Sequence, residues 1–164
     1  MKAKSGFTLV EILIVVVILG ILAAIVIPQF TSASTEAKES ALVSDLQAMR
    51  SQIELYKIHH NDNLPGEDSS GNFLTAMTTN TDQDGVAGGR FGPYMRNIPN
   101  NPFSTAAAGE NSVATGIAIK SPTAVGDNAS AWWFVTEGAD AGTFQANDDK
   151  TNVLEDPPVP HTAY

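Results

Sequence analysis

The 164 residues carry 18 acidic against 9 basic side chains, a formal net charge of −9. Binding along a phosphate backbone needs clustered lysine and arginine, so this balance excludes general nucleic-acid binding. There is no cysteine, hence no disulfide and no thiol nucleophile, and the length less an apolar amino-terminal run leaves room for one modest globular domain.

The chain opens on a short basic leader with Lys2 and Lys4, then Ser5, Gly6, Phe7, Thr8, Leu9, Val10 and Glu11. From Ile12 to Ile27 no side chain is charged or strongly polar. Counted from Phe7, the apolar segment is about 21 residues, and as a helix it spans roughly 30 Å, the hydrocarbon thickness of a bilayer. The lysines on its leading side predict a cytoplasmic leader, with the body across the membrane. Glu11 does not belong in such a segment. Left unpaired at the bilayer centre, a carboxylate would cost about 2.5–3.5 kcal/mol, so it calls for a cationic partner.

Gly6, Phe7, Thr8, Leu9, Val10 and Glu11, followed by an apolar helix and Pro28, resemble the class III signal of the type IV pilin superfamily, which includes the pseudopilins of type II secretion. The resemblance implies a cut by a prepilin peptidase between Gly6 and Phe7, and methylation of the new amino terminus at Phe7. Cleavage ahead of the apolar run keeps that run in the mature chain, unlike an ordinary secretory signal. The leader's loss removes two lysines and leaves a charge of −11. A freed Phe7 amine, with a pKa of about 7.7–8.0, is largely cationic at neutral pH. The resemblance implies that Glu11 pairs with this amine on the neighbouring subunit and so sets assembly register.

Pro28 removes one hydrogen bond from a helix and bends it, and Thr31 to Thr35 is polar enough to pass for a linker. The pattern beyond says otherwise. Leu42, Leu46, Met49, Ile53 and Tyr56 form an apolar stripe at gaps of 4, 3, 4 and 3, with charged residues between them. The reading is one helix from Phe7 to His59, about 80 Å long, apolar all round in its first half and amphipathic in its second. It ends at His59-His60-Asn61-Asp62. The two adjacent histidines point about 100° apart, share no ligand face, and are expected to be solvated near the helix C-terminus.

Phe73 to Met77 is predicted as a short helix or turn. Asn80 to Gly85 copies the opening of a calcium loop, but Phe91 stands where an EF-hand needs a bidentate glutamate, so a solvated turn is expected. Gly92-Pro93-Tyr94, then Pro99, Pro102 and Phe103, is similar to the major pseudopilin pattern. It departs from that pattern at Asn101, where the family has an acid, and at Phe103, where it has tryptophan. Strands are expected at Tyr94 to Ile98, at Ser112 to Ser121, and at Ala131 to Glu137, the last being central and the sheet antiparallel. One of Trp132 and Trp133 should pack on the helix and the other be half exposed. Glu137 to Gly142 with Asn147 to Asp149 resembles the calcium-holding carboxy-terminal loop of major pseudopilins, and implies Asp140 and Asp148 as ligands with Asp149 as substitute.

The three histidines stand near no catalytic pattern, and no phosphate-binding glycine loop is present, so no enzyme is expected. The fold expected is α+β and pilin-like, a long amino-terminal helix packed on a small antiparallel sheet. Its parts are a leader at 1–6, a membrane and assembly helix at 7–28, an amphipathic helix at 29–60, a globular domain at 61–156 and a disordered tail at 157–164. The resemblance, with the missing disulfide, leads to the major pseudopilin of a type II secretion system. Such a protein would be held by one span in the inner membrane, with its carboxy-terminal domain in the periplasm, bound to calcium and polymerised with itself. Its further partners would be the prepilin peptidase, the inner-membrane assembly platform and the minor pseudopilins. The alternatives are a type IV major pilin serving adhesion, motility or DNA uptake, and an anchored binding module that never polymerises.

Overall fold

The computed structural model describes residues 6–116, 129–148, 151–152 and 159–163. Helix α1 runs Leu9–His59 and passes through Pro28 without interruption. Around that proline the hydroxyls of Thr31 and Ser32 donate to the carbonyls of Ile27 and Pro28, each at 3.2 Å. Serine and threonine back-bonding of this kind accompanies gentle bending of a helix. The chain divides into two compact units, Met1–Ala37 and Lys38–Tyr164.

The first unit is the amino-terminal part of α1. Its large apolar side chains are all exposed, from Phe7 at 80% to Phe30 at 72%. The helix is long and apolar enough to cross a membrane, as its composition predicts.

The second unit buries the stripe read from the sequence. Leu42, Leu46, Met49, Ile53 and Tyr56 are all exposed by 1% or less. They share one core with Phe73, Ala76 and Met77, which belong to helix α2 (Phe73–Thr78), and with residues of the sheet. Asn72 caps α2, its side chain accepting from the Thr75 amide at 2.9 Å. The sheet consists of β1 (Val113–Gly116), β2 (Trp132–Val135) and β3 (Phe144–Ala146), in the order β1-β2-β3. The aromatic strand is central, and Trp132 is buried in the core while Trp133 is half-buried. Arg50 of α1 crosses to the sheet, donating from Nε and Nη2 to the Phe144 carbonyl at 3.1 and 2.9 Å.

Four expectations need correction. The sheet is mixed, since β1 runs parallel to β2 and only β2 and β3 are antiparallel. The 15 residues between β1 and β2 are enough for the crossover that a parallel pair requires. Tyr94 to Ile98 is not a strand. Its Tyr94 and Met95 amides both donate to the Met77 carbonyl at the end of α2, which fastens the segment to a helix, not a ladder. His60 is buried, its ring stacked on Tyr56 at 3.8 Å and bonded to the Thr81 hydroxyl at 2.9 Å.

The fourth correction concerns the tail. Short strands β4 (Thr151–Asn152) and β5 (Val159–Pro160) pair antiparallel, and a 3₁₀ turn at His161–Ala163 follows. His161 and Thr162 are fully buried. The Gln145 amide donates to the Thr162 carbonyl at 2.6 Å, while residues 157, 158 and 164 of the expected tail lie outside the described residues. The expected strand from Ser112 is described as far as Gly116, and its remainder lies outside the described residues.

Candidate functional site

At the amino-terminal end, Thr8 and Glu11 form a capping box. Glu11 Oε2 accepts from the Thr8 amide at 2.8 Å and from its hydroxyl at 2.7 Å, and Thr8 Oγ1 accepts from the Glu11 amide at 3.3 Å. This satisfies helix N–H groups that have no partner in the first turn. The threonine and glutamate three residues apart were visible in the sequence, but as part of a cleavage signal and not as a cap. Both residues lie beyond the Gly6–Phe7 bond, so cutting that bond leaves the cap intact. Gly6 and Phe7 are exposed. A Cβ at Gly6 would meet nothing within 4 Å, so packing within the subunit gives no reason for glycine there.

At the other end, the structure does not bring the expected calcium ligands together. Residues 137–142 are the loop joining β2 to β3, closed by the Gly142 amide donating to Val135 O at 2.8 Å. Asp140 is exposed on this loop. Asp148 lies past the opposite end of β3, beyond roughly 10 Å of strand. Asp149 lies outside the described residues. Asp148 is fully buried and its two oxygens already accept hydrogen bonds, Oδ2 from Asn101 Nδ2 and Oδ1 from His161 Nδ1, both at 2.7 Å. Among the described residues, no group of three or more His, Asp or Glu side chains is arranged to hold a metal ion. A hard cation wants six to eight oxygens, and Asp140 and Asp148 do not fit that demand.

Asp148 belongs instead to a cluster that sequence reasoning missed. The other ring nitrogen of His161, Nε2, lies 3.1 Å from each oxygen of Glu39, with hydrogen-bond geometry toward Oε1. Glu39 is 1% exposed, and His161 and Asp148 are fully buried. Burial pushes the His161 imidazole down, but the hydrogen bond and charge of Asp148, then those of Glu39, outweigh it and raise its pKa above the ordinary value. The Phe103 ring packs on His161 at 4.5 Å. Asn101 and Phe103, where the 92–103 segment departs from the family pattern, both touch the cluster. One signal could have exposed Glu39. It sits three residues before Leu42, in step with the buried stripe.

The amino-terminal residues 1–27 match the family described as "Prokaryotic N-terminal methylation motif". The chain is 34% identical over 107 residues to the type II secretion system core protein G of Dickeya chrysanthemi, a match covering 62% of this chain and 65% of that protein. With the protein of the same name from Vibrio cholerae serotype O1 it shares 33% over 103 residues, covering 63% and 68%. A fimbrial protein of Pseudomonas aeruginosa is 46% identical over 54 residues, covering 33% and 35%. The chain thus spans about two thirds of the length of the first two relatives, and no solved structure matches it. A methylation-type amino terminus, a capped and exposed apolar helix, and these relatives agree, and the chain belongs to the type II secretion system core protein G family.

Proposed function

We propose that this chain is the major subunit of a periplasmic pseudopilus that drives the export of folded proteins by a type II secretion system. The observation that carries this reading is the exposed apolar part of α1, from Phe7 to Phe30, opened by a glycine that its own subunit does not require. A surface of this size and apolarity needs lipid or other protein around it. Before assembly the inner membrane covers it, with Lys2 and Lys4 on the cytoplasmic side and the carboxy-terminal unit in the periplasm. After assembly the same surface packs against other copies, through a head-to-tail contact that does not close into a ring and so grows as a filament. A prepilin peptidase frees the Phe7 amine, and the Glu11 carboxylate of a neighbouring subunit receives it. The assembly platform and the minor pseudopilins are the further partners of this reading. Calcium at Asp140, Asp148 and Asp149 does not enter it, because Asp148 is committed to Asn101 and His161.

The test is deletion of the coding sequence, followed by an assay of exported proteins in the medium and in the periplasm. The expected result is folded exoproteins held back in the periplasm, with export restored by the intact chain. Export that continues unchanged, together with loss of long surface fibres, would overturn the reading in favour of a surface pilus, to which the shorter fimbrial match points.

A further inference from the structure

We propose that the imidazolium of His161, clasped between Asp148 and Glu39, is the cation that fastens the carboxy-terminal end of this chain to α1, so that the closure needs no calcium. The clasp spans 122 positions of sequence, from the 3₁₀ turn at 161–163 to the second unit's part of α1. Its geometry decides the form of the ring. Nδ1 faces Asp148 Oδ1 at 2.7 Å, and Nε2 faces Glu39 at 3.1 Å. An ionised carboxylate offers only acceptors and a neutral imidazole only one N–H, so a ring bonded to two ionised carboxylates uses both its N–H groups and carries the positive charge. Two buried carboxylates without a cation would be strongly unfavourable, and the ring meets that need.

The surroundings are built for this arrangement. Asn101 donates to Asp148 Oδ2 at 2.7 Å and also to the Ala131 carbonyl at 3.0 Å, so a neutral amide holds the second oxygen of Asp148. Phe103 lies on the His161 ring, and Lys38 Nζ lies 5.9 Å from the Phe103 centroid. Among the described residues, the charged and titratable groups facing His161 include Glu39 from α1 and Asp148 after β3, with Lys38 behind Phe103. This inference does not rest on the filament reading, since it concerns closure within one subunit.

The experiment uses the full chain in detergent micelles, with thermal unfolding followed by tryptophan fluorescence. The expected midpoint is the same in excess EDTA and in added calcium. His161→Gln lowers it by roughly 10 °C in both conditions, the effect of breaking a buried pair in a domain of this size. Should that variant fail to fold, two readouts on the unaltered chain decide. Its carboxy-terminal end should resist proteolysis equally with and without EDTA, and nitrogen-15 NMR should find both His161 ring nitrogens protonated at neutral pH. A midpoint or protease resistance that falls in EDTA, or a neutral His161 ring in the folded protein, would overturn the proposal.

Discussion

Helix α1 reads as two different proteins along its length. Up to Phe30 its apolar side chains are exposed, with Ile12 to Leu22 between 50% and 61%, whereas from Leu42 onward the stripe is buried to 1% or less. Both stretches carry large apolar side chains, so the presence of such side chains alone does not separate them. What differs is arrangement. In the second stretch apolar residues keep to one face and meet α2 and the sheet of the same chain. In the first they occupy every face, the pattern of a membrane span or of a helix enclosed by protein on all sides. The second stretch is a folding instruction and the first is an assembly instruction.

The two roles can be pulled apart by substitution. Glu11→Ala should have the largest effect on assembly and almost none on the fold of the second unit. Removing the partner of a freed Phe7 amine in an apolar contact costs about 3–5 kcal/mol, enough to reduce sheared filament by tenfold or more. Normal filament yield from that variant would break the comparison. Leu46→Ala should do the reverse, costing about 2–5 kcal/mol of stability in urea titration while leaving cleavage at Gly6 unaffected. Arg50→Ala, which withdraws a charged donor from the Phe144 carbonyl, should cost a smaller amount, about 1.5–3 kcal/mol.

The smallest and most specific effect is on pH dependence. The folded His161 pKa lies above its unfolded value of about 6.5. Its contribution is therefore complete below pH about 6.5 and is lost as pH rises through the raised folded value. Urea midpoints taken across that range should fall toward alkaline pH in the unaltered chain and flatten in His161→Gln. Equal slopes in the two would remove His161 from the account.

The two regions also differ in how far they could be read before the structure. The methylation motif with Gly6, Phe7 and Glu11, and the helix to His59, are local signals, each decided by residues a few positions apart. The apolar stripe and the central aromatic strand follow from periodicity in the same way. The carboxy-terminal cluster does not. Glu39, Asn101, Asp148 and His161 meet only after the chain has folded, and no spacing rule joins a glutamate in a helix to a histidine 122 residues later. The direction of β1 was lost for a related reason, because residue composition marks a strand but not the sense in which it pairs. Asp140 and Asp148 were expected as calcium ligands from the resemblance of their loop to that of major pseudopilins, and β3 stands between them.

The central claim is that a helix freed at its front end leaves lipid for its sister helices. Its most direct test is the amino-terminal residue of the native protein, purified from its own membrane and filaments and read by sequencing and mass spectrometry. The account predicts a single start at Phe7 bearing an amino-terminal methyl group. A chain still beginning with the six leader residues, or cut beyond the apolar run, would contradict it.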